Sequence, residues 1–180
     1  MRFISVVAWL CACITGVAEE APFATDKPVT SPHGTFSIRQ HLHGDWSTTI
    51  HFQRIHAPDI RFIDVYPWPG LFYVSPDDCW MLDIQKSGSG DNISFLFRVD
   101  SEGHFWRMEP GLGELAFAFL EKQHLAQRTE LYHTGITFDA WDLPRHRLLF
   151  TVHGSRIEHS GEGIDIPLVY DLQQHTLERR

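Results

Sequence analysis

The stretch that decides the fold is Gly70-Leu-Phe-Tyr-Val-Ser-Pro-Asp-Asp-Cys-Trp-Met-Leu-Asp-Ile84, which is followed by two further apolar runs, Ile93–Val99 and His104–Met108. The runs are short, rich in aromatic and branched residues, and separated by Pro, Asp, Gly and Ser. This pattern is typical of β-strands joined by tight turns. We therefore expect this part of the chain to form four short strands separated by turns.

The strand around Trp80 has apolar residues on both of its faces. Trp80, Leu82 and Ile84 share one face, and Cys79 and Met81 lie on the other. Since side chains alternate between the two faces of a strand, this strand is predicted to be buried on both sides. The same placement predicts that Cys79 is a buried and inert thiol.

The first eighteen residues have the features of a secretory signal. Arg2 supplies a positive charge, an apolar run follows, and small residues lead to Ala18, after which Glu19 is expected to start the mature chain. The apolar run is short of the ~20 residues that a bilayer-spanning helix needs. A lipid anchor at Cys13 is a less favoured alternative, since the surrounding residues only loosely resemble an acylation motif.

We predict three segments in the 180 residues: a signal peptide at 1–18, a flexible polar leader at 19–29, and a single β-rich domain at 30–180. Removal of the signal leaves Cys79 as the only cysteine, so no internal disulfide can form. The predicted location is secreted or periplasmic. The formal net charge of −8 becomes −9 without Arg2, and this acidic balance argues against a nucleic-acid partner.

One long helix is predicted at 114–131, a segment without Gly or Pro that is rich in helix-forming residues. Its first half, Leu115–Leu120, is apolar on all sides and must be covered, either by the fold, which we favour, or by a partner. The predicted inward side at helical periodicity consists of Leu115, Ala118, Phe119, Leu125 and Ala126.

The first hairpin, built from residues 35–43 and 48–53, carries the candidate binding residues. Keeping the apolar side chains of both strands on one face fixes the register, which predicts Ile38 opposite Phe52, Arg39 opposite His51, and His41 opposite Thr49. The other face then displays the candidate binding residues Arg39, His41, His43 and His51.

Two neighbouring imidazoles on a strand are near the separation that a shared metal ion needs, so His41, His43 and His51 are also a candidate metal site. Against a metal, Arg39 places a fixed positive charge beside His51. A solvated histidine-rich sheet face is therefore the favoured interpretation, and no cofactor is predicted. Trp68, in a connection with two prolines, is a further candidate for binding a sugar or peptide, although packing on the next sheet is favoured.

A short pattern recurs along the chain. Ser31-Pro-His-Gly-Thr-Phe-Ser-Ile and Ser75-Pro-Asp-Asp-Cys-Trp-Met-Leu match each other forty-four positions apart, and Asp142–Phe150 is a looser third copy. Tyr170–Leu177 and Phe97–Gly103 are similar to the strand pair that closes a propeller blade. These residues resemble TolB-type and WD-repeat β-propeller blades, whose Ser-Pro-Asp-Gly turn joins the first two strands of a blade. A period near forty residues is expected of four-stranded blades.

The resemblance implies antiparallel blades, but the chain holds at most three such units, whereas propellers typically need four to eight. The long helix is also foreign to a blade. We therefore predict a mainly β fold, at the margin of the α+β class, with antiparallel blade-like sheets and one long helix packed on them. A closed propeller is not expected within one chain, although several chains could assemble one.

Three functional hypotheses follow. The favoured hypothesis is a secreted or periplasmic, non-catalytic module that binds an unknown protein or small molecule, and no catalytic residue is assigned. The second is a small metal-dependent or hydrolytic enzyme that uses the histidine-rich face. The third is a subunit of a larger β-sheet assembly, and copies of this chain could form that assembly as a homo-oligomer. No transmembrane span is predicted in any of them.

Overall fold

The computed structural model describes residues 28–44, 47–55, 60–102, 104–158 and 162–180. In these ranges the chain forms twelve β-strands and one α-helix, and the strands form three antiparallel four-stranded sheets. The first sheet contains β1 (Val29–Thr30), β2 (Phe36–Leu42), β3 (Thr48–Arg54) and β4 (Ile60–Tyr66). The second contains β5 (Gly70–Val74), β6 (Trp80–Lys86), β7 (Asn92–Val99) and β8 (Phe105–Arg107). The third contains β9 (Leu131–Asp142), β10 (Arg147–Arg156), β11 (Gly163–Asp171) and β12 (Thr176–Arg179).

Each sheet is a meander, because its four strands are consecutive in the chain and neighbours in space. The mainly β fold class with antiparallel sheets and one helix is therefore confirmed, and the described strands close into neither a barrel nor a propeller. The register of the first hairpin is also confirmed, since Ile38 lies opposite Phe52, Arg39 opposite His51, and His41 opposite Thr49.

The two copies of the Ser-Pro pattern occupy equivalent turns. Residues 31–35 join the first two strands of the first sheet, and residues 75–79 do the same in the second. In both turns the serine N–H donates to the carbonyl that opens the next strand, at 2.9 Å and 2.8 Å. The fourth residue is left-handed in both, with φ of 69° at Gly34 and 57° at Asp78. The sequence similarity therefore corresponds to a similarity of backbone geometry.

The third copy is a looser version of the same turn. His146, with φ of 53°, directly precedes β10, the second strand of its sheet. In all three sheets the residue before the second strand accepts a hydrogen bond from a residue at the end of the third strand, either its last residue or the one that follows it. These pairs are Thr35 with Ile55 at 3.2 Å, Cys79 with Val99 at 2.8 Å, and His146 with Leu172 at 2.8 Å. The three sheets thus repeat one arrangement of turn and strands.

The second sheet lies in the middle of the structure and is apolar on both faces. Met81 and Leu82 are adjacent residues of β6, both have no exposed surface, and they belong to different core clusters. The cluster around Met81 joins the second sheet to the first through Phe36, Ile38, Ile50, Phe52, Phe72, Val74, Phe97 and Val99. The cluster around Leu82 joins it to the helix and the third sheet through Leu96, Leu112, Ala116, Leu120, Phe150, Val152, Leu168 and Tyr170. Burial of both faces of this strand is confirmed.

The helix, α1, spans Leu112–Lys122 and is therefore shorter than the predicted 114–131. His124 has a left-handed φ of 55° and donates its N–H to the Glu121 carbonyl at 3.1 Å, while the Leu125 N–H donates to the Leu120 carbonyl at 2.9 Å. These two bonds form the Schellman motif that ends many helices, usually at a glycine. Because the sequence has a histidine here and not the usual glycine, the predicted helix was extended to Leu131, which begins β9.

The covered side of the helix also differs from the prediction. Its buried residues are Leu112, Ala116, Phe117 and Leu120, whereas the predicted Ala118 is exposed. The predicted Leu115, Phe119, Leu125 and Ala126 are partly buried against the same core. The fold itself therefore covers much of the apolar surface of the helix.

The predicted leader at 19–29 is wrong at its end, because Val29 belongs to β1 and lies opposite Ile38. The predicted signal peptide and the rest of the leader fall at residues 1–27, outside the described ranges.

The connection between the first two sheets is held tightly at Gly70. The Gln40 side chain donates to the Gly70 carbonyl at 2.9 Å and accepts from the Gly70 N–H at 2.8 Å. A Cβ atom on Gly70 would lie 2.5 Å from Gln85 Oε1 and 2.8 Å from Asp83 Oδ1, and both of these side chains are buried. Only glycine fits this position without displacement of its neighbours.

Replacing Gly70→Ala should lower the free energy of unfolding by about 1–3 kcal/mol, because the added methyl group overpacks a buried site. Gly44→Ala is the matched control, since a Cβ there meets nothing within 4 Å. Urea denaturation of both variants checks this, and equal stability of the two would contradict the packing described at Gly70.

Candidate functional site

A cleft of about 520 Å³ lies between the first and second sheets, at the end where their Ser-Pro turns are found. Its lining combines apolar and charged side chains. These are Thr35, Phe36, Phe52, Arg54, Asp77, Asp78, Cys79, Val99, Asp100 and Ser101. Residues from both sheets contribute, so the packing of the two sheets creates the site.

The apolar part of the lining belongs to the core between the sheets. Phe36 and Phe52 from the first sheet have ring centroids 5.2 Å apart, and Phe105 from β8 lies 3.9 Å from Phe52. Val99 at the end of β7 is buried beside them. These rings lie beneath the cleft and have almost no exposed surface, since Phe36 and Phe52 are each 1% exposed.

Asp78 fastens the two walls of the cleft to each other. Its Oδ2 atom accepts hydrogen bonds from Ser31 Oγ and Thr35 Oγ1, both at 2.7 Å, and the His33 N–H lies 3.2 Å from each carboxylate oxygen. Asp78 itself is buried. The turn of the second sheet is thus bound directly to the turn of the first.

Cys79 is exposed in this turn rather than buried in a strand, so its predicted burial is wrong. The strand begins only at Trp80, because the Ser-Pro turn extends through Cys79. Although the residue is exposed, partial desolvation of its sulfur raises the thiol pKa, and the nearby Asp77 and Asp78 raise that pKa further. The thiol therefore keeps its proton more firmly than an ordinary cysteine.

Asp100 is a further carboxylate in the lining of the cleft. The His104 N–H donates to Asp100 Oδ1 at 2.8 Å, and this bond is the main cause that lowers the Asp100 pKa to about 2. Oδ1 also accepts from the Glu102 N–H at 2.9 Å, and Oδ2 lies 2.9 Å from His104 Nδ1 and 3.4 Å from Trp106 Nε1. Asp77 Oδ1 accepts from Ser75 Oγ at 2.5 Å and from the Cys79 N–H at 3.1 Å.

Among the described residues that line the cleft, Arg54 is the only Lys or Arg. It lies at the end of β3, opposite Phe36 across the strand pair. Within the ranges that the structure describes, its guanidinium makes no ion pair. The lining of the cleft therefore includes a guanidinium together with carboxylates.

The histidine-rich face predicted from the sequence forms, but it does not line the cleft. Arg39, His41 and His43 are exposed, and His51 is partly buried. The His41 and His43 rings are 4.7 Å apart, edge to face, and His43 Nε2 lies 3.1 Å from Thr49 Oγ1.

The candidate metal site at His41, His43 and His51 stays a prediction. In the described part of the chain, no group of three or more His, Cys, Asp or Glu residues is arranged to hold a metal ion.

Trp68 lies in the connection between β4 and β5 and has 38% of its surface exposed. The Lys86 ammonium lies 5.8 Å from the centre of its ring, and its carbonyl accepts a hydrogen bond from the Gln85 amide. Trp68 does not line the cleft. The structure therefore places the predicted binding residues outside this cleft.

The cleft was not predicted from the sequence, because Asp77 and Asp78 belong to the Ser-Pro turn and no further local pattern distinguishes them. The available signal was the recurring turn itself, since two equivalent turns in adjacent sheets must lie side by side. The predicted register of the first hairpin extends by two residues to place Arg54 beside that turn, opposite Phe36.

Comparisons with protein-family models, with curated proteins and with solved structures found no match. Among the described residues, no helix has both the length and the apolar character that crossing a membrane requires.

Replacing Asp78→Gly should lower the free energy of unfolding by about 2–3 kcal/mol, since bonds to a buried carboxylate are lost. Glycine accepts the left-handed backbone at this position, as Gly34 does in the equivalent turn, so the loss measures the side chain. Asp78→Asn keeps one acceptor oxygen and should lose less. Chemical denaturation checks the order, and an Asp78→Gly variant as stable as the wild type would show that the two turns are not joined in this way.

Proposed function

We propose that this protein is an exported, non-catalytic binding module whose ligand occupies the cleft between the first and second sheets. The observation that carries this proposal is the cleft itself, which is lined by apolar and charged side chains from both sheets. Its volume of about 520 Å³ falls in the ~300–1,000 Å³ range of ordinary ligand sites.

The chemistry of the cleft favours binding over catalysis. A nucleophilic cysteine needs a lowered pKa, whereas the pKa of Cys79 is raised by burial and by neighbouring carboxylates. A general acid or base works best with a pKa near the working pH, and the Asp100 pKa of about 2 is far below neutrality. Asp78 is occupied by hydrogen bonds that hold the turns together.

Export is supported by the sequence of residues 1–18, with its positive start, apolar run and small residues before Glu19.

The equivalent turns in the three sheets support a relationship to propeller blades, as the Ser-Pro pattern suggested. The exposed faces at the ends of the stack do not favour a ring made from several chains. Ser37, Arg39 and His41 lie on the outer face of the first sheet, and Thr151, His153 and Ser155 alternate with buried residues along β10 of the third sheet. Blades of a ring bury apolar faces against each other, so we propose an open stack of blade-like sheets.

The proposal is tested by a screen of small neutral, cationic and anionic fragments on the isotope-labelled protein, observed by NMR. Shifts should concentrate on Thr35, Cys79 and Ser101, and Ser101→Trp should reduce them because a large ring at the rim obstructs the cleft. Ser89→Trp, in an exposed loop outside the cleft, is the matched control.

Fragment shifts centred on His41 and Trp68, or no binding at all, would overturn the assignment of the cleft. The intact mass of protein recovered from the periplasm or medium checks export, because cleavage after Ala18 leaves Glu19 as the first residue.

A further inference from the structure

We infer that a row of side chains at one end of the second sheet, on the face opposite the cleft, binds an acidic, proline-rich segment of a partner protein. This tryptophan row consists of Trp80 in β6, Arg98 in β7 and Trp106 in β8. The three residues are direct cross-strand partners, since Trp80 lies opposite Arg98 and Arg98 lies opposite Trp106. The row is separate from the cleft, so the inference goes beyond the proposed function.

All three side chains project from the face of the second sheet that carries the helix and the third sheet. Trp80 packs against the core cluster on that side. Phe97 and Phe105 belong to the cluster on the other side, shared with the first sheet. Because side chains alternate between the two faces of a strand, the residues that follow them, Arg98 and Trp106, project to the same side as Trp80.

The cover of this face ends before it reaches the tryptophan row. Leu82 and Leu96 form the next pair inward and are 0% and 1% exposed, because the helix and the third sheet pack over them. In contrast, Trp106 is 62% exposed, the largest value among the large apolar side chains of the described ranges. Arg98 is also exposed and Trp80 is partly buried. The row therefore offers aromatic and cationic surface to a partner.

The exposed ring of Trp106 is held in a defined orientation. Its indole N–H donates to Asp100 Oδ2 at 3.4 Å, and its centroid lies 6.3 Å from that of the His104 ring. Asp100 is itself fixed, since the N–H groups of Glu102 and His104 donate to its other oxygen. A side chain that is already ordered loses less conformational entropy on binding. Tryptophan and arginine are also the residue types that most often dominate binding energy at protein interfaces.

The spacing of the two tryptophans selects the conformation of the partner. Neighbouring strands lie ~4.7–4.9 Å apart, so the backbones of Trp80 and Trp106, two strands apart, are separated by about 9.4–9.8 Å. A polyproline II helix has three residues per turn and rises ~3.1 Å per residue, so it repeats about every 9.3 Å. A Pro-x-x-Pro segment that crosses the strands therefore places one proline on each indole. Such segments bind aromatic surfaces because their conformation is formed before binding.

Arg98 adds a requirement for negative charge. It lies between the two tryptophans, and within the described ranges its guanidinium forms no ion pair. A glutamate or aspartate between the two prolines lies within reach of this guanidinium and pairs with it, whereas a lysine there is repelled. The segment that fits the tryptophan row is therefore both proline-rich and acidic.

The experiment is an NMR titration of the full protein with the capped peptide Pro-Pro-Glu-Pro-Pro-Glu-Pro and with analogues that carry Gln or Lys in place of both Glu. The acidic peptide should shift the indole N–H signals of Trp80 and Trp106. The Gln peptide should bind about fivefold more weakly, the upper end of what an exposed ion pair contributes. The Lys peptide should bind more weakly than the Gln peptide.

Variants assign the two interactions to their residues. Trp106→Ala should weaken the acidic peptide at least about tenfold, because one proline loses its aromatic contact. Tyr132→Ala is the matched control, since Tyr132 is an exposed aromatic residue of the third sheet. Arg98→Gln should bind the Glu and Gln peptides equally, whereas Arg179→Gln, at another exposed strand position, should keep the preference for Glu. The comparison of three peptides needs no variant, so it decides the question even if a variant fails to fold.

Equal binding of the Glu and Lys peptides would overturn the inference, and so would unshifted indole signals at the highest soluble concentration of the acidic peptide. Digalacturonate is titrated in parallel, because acidic sugars also combine a carboxylate with apolar ring faces. Shifts of both indole signals by the sugar and not by the peptide would assign the row to a glycan and show this inference to be wrong. The proposed function is judged separately, from the fragment shifts at Thr35, Cys79 and Ser101 in the cleft.

Discussion

Burial of both faces of the second sheet is the constraint on which the rest of the structure depends. Met81 and Leu82 are neighbours in β6, yet one packs against the first sheet and the other against the helix and the third sheet. Burying a side chain of this size contributes about 1.5–3 kcal/mol. Because no disulfide joins the described residues, the three sheets are held together mainly by these two apolar interfaces.

The cleft is a product of this stacking, because equivalent turns of adjacent sheets are placed side by side. Asp78 then serves the fold by binding Ser31 and Thr35, and Asp77 and Asp100 also line the cleft. The aromatic rings beneath the cleft belong to the core around Phe52 and Val99.

The sequence was sufficient wherever a periodic pattern determined the structure. Alternating apolar residues predicted the pairing of Ile38 with Phe52 and the two buried faces of β6, because a shift of one residue would expose a whole apolar face. It failed where a single backbone conformation decided the outcome. The left-handed His124 ended the helix without a glycine, and the turn before Trp80 exposed Cys79.

The candidate site was less predictable, because its residues are distant in sequence and become neighbours only when sheets pack. Arg54 and Asp77 have no local pattern that links them, and each alone suggests only a strand end or a turn. The histidines of the first hairpin were prominent in the sequence because they are close together. Proximity in sequence predicted their shared face correctly, but it did not indicate a concave site.

The most direct measurement of the central claim is native-state hydrogen exchange on Met81→Ala and Leu82→Ala, with the amides of Ile50 in the first sheet and Val152 in the third sheet as reporters. The account predicts that each variant loses about 2–5 kcal/mol and that both reporters lose protection together, since the second sheet couples the two interfaces. Loss of protection at Ile50 alone in Met81→Ala, with Val152 unchanged, would contradict it.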